Sequence, residues 1–148
     1  MRNNKLLRAI YTLAVYLWAA PISLLGLALG ILSLPGGCKL SVNEGVLECA
    51  GGRILSGLLS ALGRNMQIQA ITLGHVVLAR NHETMHALRF HERIHVKQYE
   101  RWGLLFLPLY FGSSMLALMV GKDPYFDNHF EKAAFEGAAK HADSQINS

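Results

Sequence analysis

The chain has 148 residues, room for one compact domain and hardly for two. Hydrophobic residues make up 51% of it and charged residues only 16%, well under the roughly one-quarter usual for a soluble domain, and that deficit points to lipid. The net charge of +4 is scattered, with no basic stripe interleaved with stacking aromatics, which argues against nucleic acid as a partner.

The first apolar run covers residues 6–34 and contains one charge, Arg8. As a helix it would be roughly 43 Å long, more than a ~30 Å hydrocarbon core requires. Pro21, near its centre, predicts a kink or a break. The run is therefore either one tilted, kinked span or a helical hairpin. Arg2, Lys5 and Arg8 favour keeping this end cytoplasmic. A removable signal peptide is the weaker reading, because the run exceeds a usual signal core and no small-x-small cleavage site follows it. Gly26 and Gly30 offer a small-residue face to another helix, which would suit a homo-oligomer.

Pro35-Gly36-Gly37 ends the run. Residues 39–49 then read as two short strands around an Asn43-Glu44-Gly45 turn. A hairpin there sets Cys38 opposite Cys49 and permits a disulfide in an oxidising compartment. Two unpaired thiols are the simpler expectation and the preferred one. Residues 53–63 suggest a short amphipathic helix, and Gln67 to Arg80 is β-like. The middle of the chain is thus expected to be a small antiparallel sheet of two to four strands. From about Glu83 to Trp102 the periodicity turns helical, as one helix or as a turn followed by a helix. Residues 104–120 form a second apolar run without charge, interrupted by Pro108 and Gly112. A last helix follows from Asn128, a suitable cap, to about Asp143.

The chemistry concentrates in His91-Glu92-Arg93-Ile94-His95. On a helix, two histidines at this HExxH spacing share one face a turn apart and can hold one zinc ion. Glu92 lies beside that face, placed to take a proton from a zinc-activated water as general base. His82-Glu83-Thr84-Met85-His86 has the same spacing. It follows directly on the expected strand, whereas the downstream copy lies deeper in helix-compatible sequence and is followed by Gln98 and Trp102 on the same side. His91 and His95 are therefore the expected metal pair, with His82 and His86 at the surface or in support. A catalytic zinc needs a third protein ligand. Glu131 is favoured, because small residues at 133, 134, 138 and 139 let its helix come close, with Glu136 as the replacement. His129 is a less favoured ligand. His75 is either a supporting group or a hydrogen-bonded histidine at a sheet edge. His75, His82 and Tyr99 are candidate donors to a developing oxyanion.

The stretches 17–26, Gly45-Val-Leu-Glu48, 71–78, 91–103, 105–108 and Asp127-Asn-His-Phe-Glu131 together resemble a family of small bacterial membrane proteins similar to minimal zincin metallopeptidases. The resemblance implies an α+β zincin-like domain in or on the bacterial cytoplasmic membrane, Zn2+ held by His91, His95 and Glu131, and Glu92 as general base. This chain departs from the family pattern at His129, where proline is more usual, and in the histidines at 82 and 86, which raise the prospect of an extra metal contact. The expected plan is a membrane segment over 1–35 kinked at Pro21, then a zincin-like domain over 36–148 that includes a membrane-proximal apolar segment, 104–120.

The metal set constrains the second run. His95 precedes it and Glu131 follows it, so a single crossing would leave the ligands on opposite sides of the bilayer. A broken, re-entrant or interfacial segment is expected instead. The leading expectation is a zinc-dependent membrane metallopeptidase acting on a membrane protein or peptide. The alternative is a non-hydrolytic membrane protein with a structural zinc site, or a binding module on the same fold. A channel or transporter is disfavoured by the few apolar elements and the lack of a buried charge within either run.

Overall fold

In the computed structural model, residues 2–63 and 68–146 are described; Gln67, the first residue of the expected β-like stretch, lies outside them. The element order is α1 (Arg2–Ser33), β1 (Lys39–Asn43), β2 (Val46–Ala50), α2 (Arg53–Leu62), β3 (Ala70–Leu73), β4 (Val76–Ala79), α3 (His82–Trp102), α4 (Phe106–Met119) and α5 (His129–Ile146). The class is α+β, as the sequence implies.

The strands form one sheet in the order β1-β2-β4-β3. The β1–β2 and β3–β4 hairpins are antiparallel, but β2 runs parallel to β4, so the sheet is mixed and not the antiparallel one expected. The two hairpins meet through α2, a crossover of the kind a parallel pair requires. Side chains alternate as strand geometry demands. Leu47, Cys49, Val76 and Leu78 pack with Leu55 and Leu59 of α2 and with Ile22, Leu27 and Leu29 of α1. Val46, Ala50, Val77 and Ala79 turn the other way, onto Met85 and Val96 of α3. The sheet is thus covered on both faces, which is why Val76-Val-Leu-Ala79 is apolar without alternation.

Glu48 shares the α3 face and is nearly fully buried. Arg89 meets it in a fork, Nε to Oε1 and Nη2 to Oε2, both at 2.9 Å. The Glu48 carboxylate in turn raises the pKa of the guanidinium above its ordinary value. Arg93 adds a 3.5 Å contact to the same carboxylate and donates to the Asn43 carbonyl at 2.6 Å. Two arginines of α3 are therefore held over the first hairpin, which fixes the rotation of the helix that carries the histidines.

Cys38 and Cys49 are joined in a disulfide, against the expectation of unpaired thiols. Cys38 stands one residue before β1, and Cys49 pairs with Leu40 across the hairpin. That proximity puts their Cα atoms 6.2 Å apart, within reach of a disulfide.

Helix α1 runs unbroken through Pro21, so the hairpin alternative is not adopted. From Leu6 to Trp18 it is largely apolar and exposed on nearly every face, with Leu6, Tyr11 and Leu17 each more than 60% accessible. Its second half lies on the domain. Gly26 allows this, since a Cβ there would sit 2.8 Å from Cβ of Val76. The Gly26/Gly30 face is consequently used against the sheet rather than against another helix.

Residues 82–102 form one helix, capped by Asn81, whose side chain accepts from Thr84 N at 2.7 Å. It ends where Gly103 adopts φ +54° against the Trp18 ring, a place where any side chain would collide. A short 3-10 turn over Gly103–Leu105 then leads into α4. Pro108 does not interrupt α4. It lies in the first turn, where the missing N–H has no partner to lose. Two stretches, Lys5–Gly36 and His82–Met119, are long and apolar enough to cross a membrane by length and composition. The second is broken at Gly103, and α4 alone is about 21 Å long, short of the ~30 Å a hydrocarbon core needs.

Candidate metal centre

Helix α3 buries Glu92 and Val96 toward the sheet and Tyr99 against Ala19 and Phe106, and aims His91 and His95 at Glu131 of α5. Ala134 is fully buried, and the tip of the Ile94 side chain seats directly on Gly137. Of the small residues expected to let α5 approach α3, Ala134 lies in the contact while Ala133 and Ala139 are exposed, and Gly137 adds to it from outside that set. The approach of the two helices delivers Glu131. Its Oε2 is 3.1 Å from His91 Nε2, and its Oε1 is 3.3 Å from His95 Nε2. The two Nε2 atoms are 3.1 Å apart. One ligand atom from each of His91, His95 and Glu131 lies within 4.8 Å of the others, and all three residues are buried.

The surroundings fit a metal. Gln98 donates from Nε2 to the Phe130 carbonyl at 3.0 Å, which turns its Oε1 toward His95 Nδ1 at 2.8 Å. The Nδ1–H of His95 donates to that oxygen, which leaves Nε2 as the nitrogen facing the cluster, able to donate to Glu131 or, once deprotonated, to hold a metal. Tyr110 donates to Glu131 Oε1 at 2.6 Å. Burial alone would push the Glu131 carboxyl up, but the His91 and His95 imidazoles and the Tyr110 hydroxyl beside it hold it well below the usual carboxylate range. It is ionised, as a ligand should be. Glu131 Oε2 and His91 Nδ1 are buried without a hydrogen-bond partner among the described residues. A His2Glu donor set with an unsatisfied carboxylate oxygen suits zinc in a site with an open position.

Comparison with protein-family models, curated proteins and solved structures found no match. The metal-binding reading therefore rests on the cluster itself.

The other candidates fall outside it. His82 and His86 are exposed, and His86 contacts Arg89 through Nδ1 at 3.3 Å. Asn81 caps the helix immediately before His82, so the upstream copy starts at the solvent-facing first turn. Glu136 and His129 are exposed and absent from the cluster. His75 is buried in the β3–β4 turn, where it stacks on Tyr16 and meets Glu100 at 3.2 Å. Tyr99 is fully buried and packs on Phe106, away from any role as a donor to substrate.

Three contributors had no spacing signal in the sequence. Thr72 on edge strand β3 donates to Glu92 Oε2 at 2.6 Å and holds that carboxylate against the sheet. Tyr110 reaches Glu131 from inside the second apolar run. Tyr125 packs on Phe135, which lies against His91, and burial, then the charges of Glu131 and Glu92, raise its pKa. Asn128, fully buried, caps α5 by accepting from Phe130 N at 2.8 Å and donates to Tyr110 O and Ser114 Oγ. This fixes where α5 begins relative to α4, and so where Glu131 falls.

Tyr110→Phe and Gln98→Ala each remove an outer partner of a ligand. Each is expected to weaken zinc affinity about 10–100-fold, measured by competition with a chromophoric chelator.

Proposed function

We propose that the protein is a zinc-dependent membrane metallopeptidase, with His91, His95 and Glu131 as ligands and Glu92 as general base. The observation that carries this reading is the buried cluster of three ligand atoms within 4.8 Å. Glu92 is the next residue on the same helix and is buried beside it. Bound zinc would polarise a substrate carbonyl and acidify a water. Glu92, steadied by Thr72, takes the proton of the attacking water and passes it to the leaving nitrogen. The protonated Tyr125 hydroxyl is the donor beside the site for the developing oxyanion. Tyr110 is already committed to Glu131. Substrates are membrane proteins or membrane-bound peptides, because apolar α4 both supplies Tyr110 and exposes Phe111, Met115 and Leu116 to its surroundings.

The alternative, a non-hydrolytic protein with a structural zinc, is favoured by one observation: the three ligands and Glu92 are all less than 8% accessible. Glu92→Gln separates the two readings, since it should spare zinc in both and abolish peptide cleavage only in the first.

The site belongs on the outer face of the cytoplasmic membrane. Disulfides such as Cys38–Cys49 persist in oxidising compartments, and the basic residues before the first apolar run favour a cytoplasmic N-terminus. The two signals agree, being placed at opposite ends of that run. A membrane-impermeant maleimide should label Phe90→Cys and Phe126→Cys, both at exposed positions, in intact cells. Labelling of either only after lysis would contradict this orientation.

A further inference from the structure

A second feature lies on the outer side of the α3–α5 contact, away from the ligand atoms. A groove of about 420 Å³ is lined there by Lys97, Gln98, Arg101, Trp102, His129 and Phe130, with no acidic residue in its lining. Lys97 and Arg101 are four residues apart on α3 and share a face. His129, the first residue of α5, adds an imidazole from the opposite wall. None of the ion pairs among the described residues involves Lys97, Arg101 or His129, although Lys97 also borders a neighbouring groove that Glu44 and Glu100 line. The Arg101 guanidinium sits 5.3 Å over the Trp102 ring.

Arg101 alone could be explained as a cation complementing the C-terminal end of α3. Lys97 lies a turn further back and His129 belongs to another helix, so that account does not cover the groove. Two like charges one turn apart are mildly destabilising to a helix, a cost that a bound anion would relieve. The neighbouring surface identifies the anion. Directly after Trp102 the chain turns at Gly103 and presents exposed Leu104, Leu105 and Leu109. Cations, then an aromatic ring, then exposed aliphatic side chains reproduce the order of phosphate, interface and acyl chain in a leaflet.

We propose that this groove binds the phosphate headgroup of an anionic phospholipid, with Lys97 and Arg101 on the phosphate, Trp102 at the glycerol level and the acyl chains along the start of α4. Gln98, which lines the groove, also holds His95 Nδ1, so the lipid lies one hydrogen-bonded residue from the metal cluster. The binding itself does not depend on the metal or on peptidase activity.

The test uses the full chain purified in detergent and titrated, with native mass spectrometry, against phosphatidylglycerol and phosphatidylcholine of identical acyl chains. Wild type should bind one phosphatidylglycerol at least tenfold more tightly than phosphatidylcholine. Lys97→Gln/Arg101→Gln should bring the two lipids to equal affinity, while Lys97→Arg/Arg101→Lys keeps the preference. Unchanged zinc content in each variant would report that the fold is intact. Should the double glutamine variant not fold, added salt must still erode the wild-type preference. Equal binding of both lipids by wild type overturns the proposal, as does a preference that survives the glutamine variant. Displacement by an equal concentration of inorganic phosphate would assign the groove to a soluble anion and also overturn it.

Discussion

Replacing His91 or Glu131 with alanine is expected to remove zinc from the detergent-purified protein, whereas Glu136→Ala and His82→Ala retain it. Losing an outer partner of a zinc ligand costs about 10–100-fold in affinity, and losing one of three protein ligands should cost more. Glu131 is the more telling position. It is the only carboxylate in the cluster, it is buried, and both its oxygens face histidine nitrogens. Glu136, one helical turn and a residue further on, is exposed. Zinc bound only to the folded chain also stabilises it by mass action. A chelator should therefore lower the melting temperature of wild type and leave that of His91→Ala unmoved. Undiminished zinc in His91→Ala would refute the ligand assignment.

Glu92→Gln should keep its zinc and lose peptide cleavage by about 10²–10⁴-fold, the range a positioned general base supplies. Glutamine keeps the size of the side chain and an oxygen that can accept from Thr72, so the α3–β3 contact survives and the missing function is proton transfer alone. The measurement is cleavage of a fluorogenic peptide pool by protein in proteoliposomes, with zinc content determined on the same samples. Cleavage undiminished in Glu92→Gln would remove Glu92 from the mechanism. Zinc-replete wild type that cleaves nothing, with Glu92→Gln indistinguishable from it, would favour the structural-zinc alternative.

Much of this centre is legible along the chain because its information is local. The choice between the two HExxH copies is legible because His82 follows directly on a strand and its turn while His91 and His95 lie deeper in helical sequence; the Asn81 cap, seen in the structure, leaves His82 at the exposed start of α3. The approach of α5 is legible in Ala134, whereas Gly137, which receives Ile94, is not among the small residues that point to it. Alternation in Val46-Leu-Glu-Cys-Ala50 is visible too, although with Glu48 facing inward it reads correctly only once Arg89 and Arg93 are known to meet it. What is not legible depends on elements distant in sequence. The parallel β2–β4 pairing requires α2 and β3 to be laid down between the two strands, and nothing in either strand announces it. Thr72, Tyr110 and Tyr125 are ordinary residues in apolar or turn sequence until the fold brings them to Glu92 and Glu131. Pro108 misleads for a physical reason: it reads as a helix breaker, but only in a helix interior, and it stands in the first turn of α4. The Gly26/Gly30 face shows a close approach without naming the partner, which proves to be the sheet.

The geometry of α4 also bears on the membrane. A simple crossing by residues 104–120 would part Glu131 from the histidines. Instead the 3-10 turn at Gly103, the shortness of α4 and the Asn128 bonds to Tyr110 and Ser114 return the chain to the same site. The apolar run and the metal cluster are therefore one construction, with Tyr110 belonging to both.

X-ray absorption at the zinc edge of the purified wild-type protein reads the ligand set directly. The expected result is one zinc per chain with two imidazole nitrogens at about 2.0–2.1 Å, a carboxylate oxygen at about 2.0–2.2 Å and no sulfur. A sulfur shell near ~2.3 Å, a single imidazole, or a chain that holds no zinc would contradict a metal centre built from His91, His95 and Glu131.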